Sequence, residues 1–365
     1  MKKLVKKIVP SEIIQGLKDF IEWADYSLIR FISQSKVLSK IYYLFNGKFT
    51  AENHAVLAGR VAYKYSLIEI GSSCALLRRN IHRLEKGLIM KPRRDVFAEG
   101  FIQETVDCYS VAIKSEQLAI EEKKWATDVL DEYFKIVAST PILDIAKQVY
   151  VDSRNEGLDF KGLEVHFPSE DDSYKPYNYS NLSDSNIDFL DLKNLYIRRR
   201  SVRWYEEKDV PVDLVRKAAN IASFAPSACN RQPYRFLFCN EKEKTVQIAK
   251  CAMGTAGFAK NLPAIIAIIG DLSAYPHERD RHVIYIDASL AAMQLMLALE
   301  TLGLSTCSIN WPDLDDNERM IRNVIELKDH ERVIMLMAVG YADTTGDIPY
   351  SQKKQNDLIL EDVSK

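Results

Sequence analysis

Apolar residues at Ile14, Leu17, Ile21, Ala24, Leu28 and Phe31 repeat with the 3.6-residue period of one helix face, directly behind Pro10 and Ser11, which suit a helix start. The same period predicts helices over 56–68, 76–89, 101–120 and 125–137, with few Gly or Pro to interrupt them. Residues 1–163 therefore read as a mainly α-helical domain. The pattern lapses between Glu164 and Asp191, where seven acidic residues stand against one lysine among Ser, Asn and Tyr. Such a composition buries little, so residues 164–186 read as an acidic, polar linker that Tyr174, Tyr177 and Tyr179 can pin to a surface.

Past residue 187 the period alternates. Helices are expected over 187–197, 212–222 (behind Pro211), 241–251 and 316–327, and short strands over 235–239, 264–270, 305–309 and 333–339. Residues 286–302 are apolar nearly all round, as in a helix central to a domain or a dimer, and Gly303 ends it. This order of elements indicates an α+β fold, a small sheet wrapped by helices, over 187–365.

A length of 365 residues suits two such domains. A formal charge of −2 argues against a general nucleic-acid binder. The six cysteines are scattered, without a CxxC pair or a neighbouring His at ligand spacing, so reduced thiols in the cytoplasm are expected, and no metal site. No uninterrupted apolar stretch approaches 18 residues, and MKKLVKKIVP lacks the apolar run and cleavage site of a signal peptide.

Dinucleotide-binding GxGxxG, the GxxxxGK[ST] phosphate loop, HExxH and GxSxG are all absent. Two motifs remain. Arg199-Arg200-Ser201-Val202-Arg203 places guanidinium forks and a hydroxyl at a helix end, a donor set for phosphate and carbonyl oxygens, although such a run alone is more often a solvated basic turn. Ala225-Pro226-Ser227-Ala228-Cys229-Asn230-Arg231-Gln232-Pro233-Tyr234-Arg235-Phe236 joins a helix to a strand through short polar side chains, and alone it reads more readily as an ordinary loop.

Taken in order with DASLAAMQLMLALETLGL and ERVIMLMAVGYA…PYSQKK, these motifs make residues 190–364 resemble the nitroreductase family of flavoproteins. The resemblance implies a nitroreductase-like small mixed sheet wrapped by helices, FMN bound at a homodimer interface, and ping-pong hydride transfer from NADH or NADPH through flavin N5 to a small-molecule acceptor. It implies that Arg199 and Ser201 hold the FMN phosphate with Lys353 or Lys354. Arg203 would lie at the N1–O2 edge, Arg200 along the ribityl chain or ring edge, and Pro226, Ser227 and Asn230 would reach the flavin from the partner chain. Gln232 would support that loop, and the backbone at Ser308 and Ile309 would approach N5. The flavin is the reactive centre, so no protein residue is assigned as catalytic.

Departures from the family pattern accompany these matches. Ser308-Ile309-Asn310-Trp311 stands where relatives often carry two glycines, and Trp311 either narrows the pocket or simply packs. Ala228 replaces a second serine. The stretch from Asp271 to Ile286 leaves room only for a small lid.

Residues 1–163 resemble no family. Their most distinctive run, LLRRNIHRLEKGLIMKPRR, sets Arg78, Arg79, His82, Arg83 and Lys86 around an apolar stripe, with Lys91, Arg93 and Arg94 beyond. An anion site and a solvated basic face are both open readings. His82 and Glu85 are spaced to pair. The first 48 residues carry nine basic and four acidic side chains, so the first helix either docks on protein or touches a membrane surface. Two other functional readings stand beside the reductase: a flavin-dependent dehydrogenase that uses oxygen as acceptor, and a non-catalytic flavin-binding or interaction module.

Overall fold

The continuous apolar run Ala264-Ile-Ile-Ala-Ile-Ile-Gly270 can be apolar on both sides only if both faces of its strand are covered. The computed structural model, which describes residues 11–154, 158, 160–168 and 172–364, places it as β2 (Ala264–Asp271) inside a four-stranded sheet. β1 (Tyr234–Cys239), β2, β4 (Glu331–Gly340) and β3 (Ser305–Asn310) lie side by side in that order, every neighbouring pair antiparallel. The mixed sheet expected above is therefore corrected. The parallel element is an isolated bridge from Ser201 to Thr306 on the outer edge of β3.

Alternate residues of β2 serve two cores. Ile266 and Ile268 pack with α9 (Val212–Ala222) and α11 (Val283–Thr301), while Ile265, Ala267 and Ile269 pack with α10 (Lys242–Cys251) and α12 (Asp315–Arg322). Each buried isoleucine contributes about 2 kcal/mol of apolar transfer. α11 is long and apolar enough to cross a membrane by composition, but Ile284, Ala288, Ala292, Leu295 and Leu299 are fully buried against the sheet. Ile286 and Leu290 remain exposed on its other side.

The helices before this domain are α1 (Ser11–Ile32), α2 (Lys36–Asn46), α3 (Thr50–Tyr65), α4 (Ala75–Leu88), α5 (Ile102–Ala112), α6 (Ile120–Ile136) and α7 (Pro141–Arg154). α4 to α7 enclose their own core around Leu77, Ile81, Leu84, Ile102, Tyr109, Leu130 and Tyr133. The helix expected over 101–120 ends at Ala112, and Ile113 and Leu118 reach the same core from a turn. The helix expected over 316–327 likewise ends at Arg322.

The chain divides into two compact units, Met1–Asn53 and His54–Lys365. Residues 164–186 lie within the second of these units. At Gly59 a Cβ would come within 2.7 Å of Leu272 Cβ, so only glycine lets α3 approach the chain after β2 so closely. In the 164–186 segment, Tyr174 N–H donates to Asp128 (2.7 Å), and Tyr177 stacks on Phe167, which packs edge-on against Phe224. Tyr179 is exposed and pins nothing. Residues 169–171 of the segment, and residues 1–10 with their lysine-rich start, lie outside the described residues.

Candidate functional site

α8 (Phe189–Arg198) runs directly into the arginine turn. Val202 N–H donates to Thr306 O (3.0 Å), which ties the turn to β3, and buried Tyr205 anchors the chain beyond it through Asn261. Arg198 pairs with Glu300 at 3.0 Å. Burial raises the Glu300 carboxyl, against the pull of Arg198 and Arg199. Burial also raises the Cys307 thiol, against Arg203, a hydrogen bond with Ser201, and Arg199, so all three motif side chains converge on the start of β3.

Among the described residues, two side-chain polar atoms here have no partner: Arg199 Nε and Thr306 Oγ1 are buried without a hydrogen bond. An unpaired buried guanidinium nitrogen is costly unless an anion completes it. Arg203 lies over the Phe258 ring at 5.9 Å. Arg200 Nη2 donates to Pro349 O (2.8 Å) and to Tyr350 O. That contact fixes the C-terminal tail, and Lys353 and Lys354, both exposed, follow within about 10–14 Å of chain. Ser308 Oγ contacts Met296 Sδ at 3.2 Å, while the Ile309 side chain is buried in the core and leaves only its backbone for a ligand.

The loop from Pro226 to Gln232 is built differently. Cys229, Asn230 and Gln232 hold positive φ values of 53°, 51° and 50°, a strained state for residues with a Cβ. Gln232 braces the loop as expected: its N–H donates to Ser227 Oγ (3.2 Å) and its Nε2 to Ser223 O (2.6 Å). Two further supports were not foreseen. Asp287 accepts the Ala228 N–H at 2.9 Å, so α11 is not without a polar residue facing inward. Burial raises the Asp287 carboxyl, against that N–H, the Tyr275 hydroxyl and Arg231. Arg78 on α4 donates from Nε to Asn230 O (2.8 Å) and from Nη2 to Gln232 Oε1 (3.0 Å), while its Nη1 pairs with buried Glu122 (3.0 Å). A lone acid inside the apolar helix was a legible signal for Asp287; Arg78 gave none beyond its basic run.

The two motifs do not meet in one chain. The turn is held at the Glu300 end of α11 and the loop at its Asp287 end, about 20 Å apart at 1.5 Å per residue. Across the sheet they sit at opposite edges as well, with Ser201 outside β3 and the loop feeding β1. Trp311 is buried, with Nε1 donating to Glu318 (2.8 Å), so it packs rather than facing a pocket. His82 and Glu85 do pair (3.0 Å), and Glu85 also accepts the Trp125 Nε1–H, a structural linkage. All six cysteines are free.

Residues 196–341 match the nitroreductase family model in two overlapping segments, 196–256 and 240–341. An NADH dehydrogenase of Thermus thermophilus is 26% identical over 194 residues, covering 45% of this chain and 92% of that one. An iodotyrosine deiodinase of Thermotoga neapolitana is 25% identical over 193 residues, covering 46% and 96%. Among solved structures, an FMN-dependent nitroreductase of Clostridium difficile aligns with a TM-score of 0.40 at 26% identity, covering 47% and 98%. Over residues 196–341 the chain is thus similar to the nitroreductase family, and the fold described above is nitroreductase-like. The helices before it lie outside the matched residues.

Proposed function

We propose that the protein is a cytoplasmic, homodimeric, FMN-dependent oxidoreductase that takes reducing equivalents from NADH or NADPH and passes them to a small-molecule acceptor. The observation that carries this reading is the buried, unpartnered Arg199 Nε beside Ser201 and the equally unpartnered Thr306 Oγ1. These donors fit a phosphate monoester, which brings the acceptor oxygens that they lack. Arg199 and Ser201 would hold that phosphate, and Lys353 and Lys354 add positive charge from the tail that Arg200 tethers. When bound, FMN supplies two-electron transfer between a nicotinamide and the acceptor.

The protein's own work is positioning. Arg203 supplies a fixed positive charge that favours the negative charge gained on reduction. Buried Ile309 holds the β3 backbone in place. The loop bearing Pro226, Ser227 and Asn230 stands about 20 Å from the arginine turn within a chain, so a complete site takes the turn from one chain and the loop from another. The exposed apolar side of α11, at Ile286 and Leu290, suits burial between two such chains. The NADH dehydrogenase relative supports the choice of donor.

An absorbance spectrum of the purified protein, before and after anaerobic NADH or NADPH, tests the reading. Flavin bands that bleach with one nucleotide are the expected result. A yellow protein that bleaches with neither but is reduced by an organic substrate and reoxidised by oxygen would move the reading to a dehydrogenase. A protein that stays colourless after FMN is supplied would overturn it.

A further inference from the structure

The helical part of the chain does more than brace the loop. Arg78 is saturated by Asn230, Gln232 and Glu122, but its neighbours are not. Arg79 makes no hydrogen bond or salt bridge among the described residues. Arg83 lies over the Phe101 ring at 3.6 Å and touches only the amide oxygen of Asn80, at 3.3 Å. Arg231, in the loop itself, stacks over the Tyr275 ring at 4.7 Å with its Nε buried and unpartnered.

Arg79 and Arg83 lie four residues apart on one face of α4, and Arg78 docks the loop that carries Arg231 onto the same helix through Asn230 O (2.8 Å). Arg79 and Arg231 both act on Tyr63, buried on α3, and Arg79 acts on Arg83. Two carboxylates face them. Glu104 already accepts from Asn80 Nδ2 (3.1 Å), and Asp287 already accepts the Ala228 N–H (2.9 Å). Three guanidinium groups thus stand against two carboxylates that are already engaged, an arrangement that an anionic ligand completes.

We infer that Arg79, Arg83 and Arg231 form an anion subsite that receives a carboxylate or phosphate group on the acceptor substrate. The inference rests on the functional reading above, in which this loop reaches the flavin of the partner chain and so brings the subsite beside it. The helices before the nitroreductase-like domain then act as a specificity element: their arginines select acceptors that carry an anionic group, and a neutral acceptor gains nothing from them.

The test compares 4-nitrobenzoate with nitrobenzene as acceptors for the FMN-loaded full chain at saturating NADH. The wild type is expected to favour 4-nitrobenzoate in kcat/KM. Arg79→Gln/Arg83→Gln is expected to lower that preference about tenfold, the worth of one charge-assisted contact. Arg79→Lys/Arg83→Lys, which keeps the charge, is expected to hold part of it. A wild type without preference, or a Gln variant that keeps it, overturns the inference. Calorimetric titration with benzoate and with phenyl phosphate needs neither flavin nor turnover, so it decides the subsite even where the oxidoreductase reading fails. Heat that disappears in the Gln variant supports the subsite, and the tighter ligand names the group. No heat with either ligand, or heat that survives the Gln change, overturns it.

Discussion

Asp287 and Glu300 stand at opposite ends of one helix, and each secures one of the two motifs: Asp287 accepts the Ala228 N–H of the loop, and Glu300 pairs with Arg198 at the arginine turn. α11 is thus a ruler about 20 Å long between the two motifs. Its apolar surface is what the sequence pattern announces. Its two inward acids set where the motifs are held.

Arg78 is the strongest test of how the helical part serves the loop. Arg78→Ala leaves Glu122, 3% exposed at its side chain, without its cation and frees two loop contacts. A stability loss of about 3 kcal/mol is expected, with FMN binding weakened about tenfold. Arg78→Lys should restore little, because one ammonium cannot reproduce three directed N–H bonds. Urea denaturation and an FMN titration read both effects. A variant with wild-type affinity for FMN would separate the loop from the cofactor.

Glu331 gives a pH dependence of defined sign. Burial pulls its carboxyl upward, but the hydrogen-bonded pairing with Arg235 (2.7 and 2.9 Å) and the Lys328 N–H hold it below the ordinary glutamate value. A depressed acid stabilises the fold above its unfolded pKa and loses that contribution as pH falls through the folded value. Glu331→Gln should therefore cost about 1–2 kcal/mol at pH 7, discounted for the partly exposed Arg235. The gap between wild type and variant should close in acid, below the ordinary glutamate range. Urea midpoints across pH check this, and a constant gap would contradict it.

Trp311 separates packing from substrate contact. It is buried and bonded to Glu318. Trp311→Phe should lower stability by about 1–2 kcal/mol through lost volume and the hydrogen bond that Glu318 loses. KM for any acceptor should stay within twofold. A large KM change with unaltered stability would return Trp311 to the pocket.

Much of this was legible where local signals and burial agree. Pro211 and the apolar period after it place α9 at residues 212–222, and the two-sided apolar run places β2. The 101–120 stretch was overread because Ile113 and Leu118 continue the apolar spacing while reaching the core from a turn, a tertiary effect that no period reveals. α2 and α7 lie outside the expected helices although each begins on a helix-start signal, Ser35 capping the Leu38 N–H and Pro141 in the first turn of α7. In the candidate site the motifs were legible as types. Their separation was not, since it is set by which end of α11 each one meets. Arg78 lies 152 residues before its partner Asn230, a distance that sequence pattern does not bridge.

The central claim is a flavin site assembled from the arginine turn of one chain and the loop of another. Arg199→Ala and Asn230→Ala variants, each purified, unfolded, mixed in equal amounts and refolded together, test it most directly through NADH-dependent activity. Each variant alone has every site damaged. Half of the randomly mixed dimers pair one variant with the other and hold one intact site in two, so the mixture should recover about a quarter of wild-type activity. Activity no higher than that of the separate variants, from dimers shown to have mixed, would mean that turn and loop serve the same chain's site, and would contradict the account.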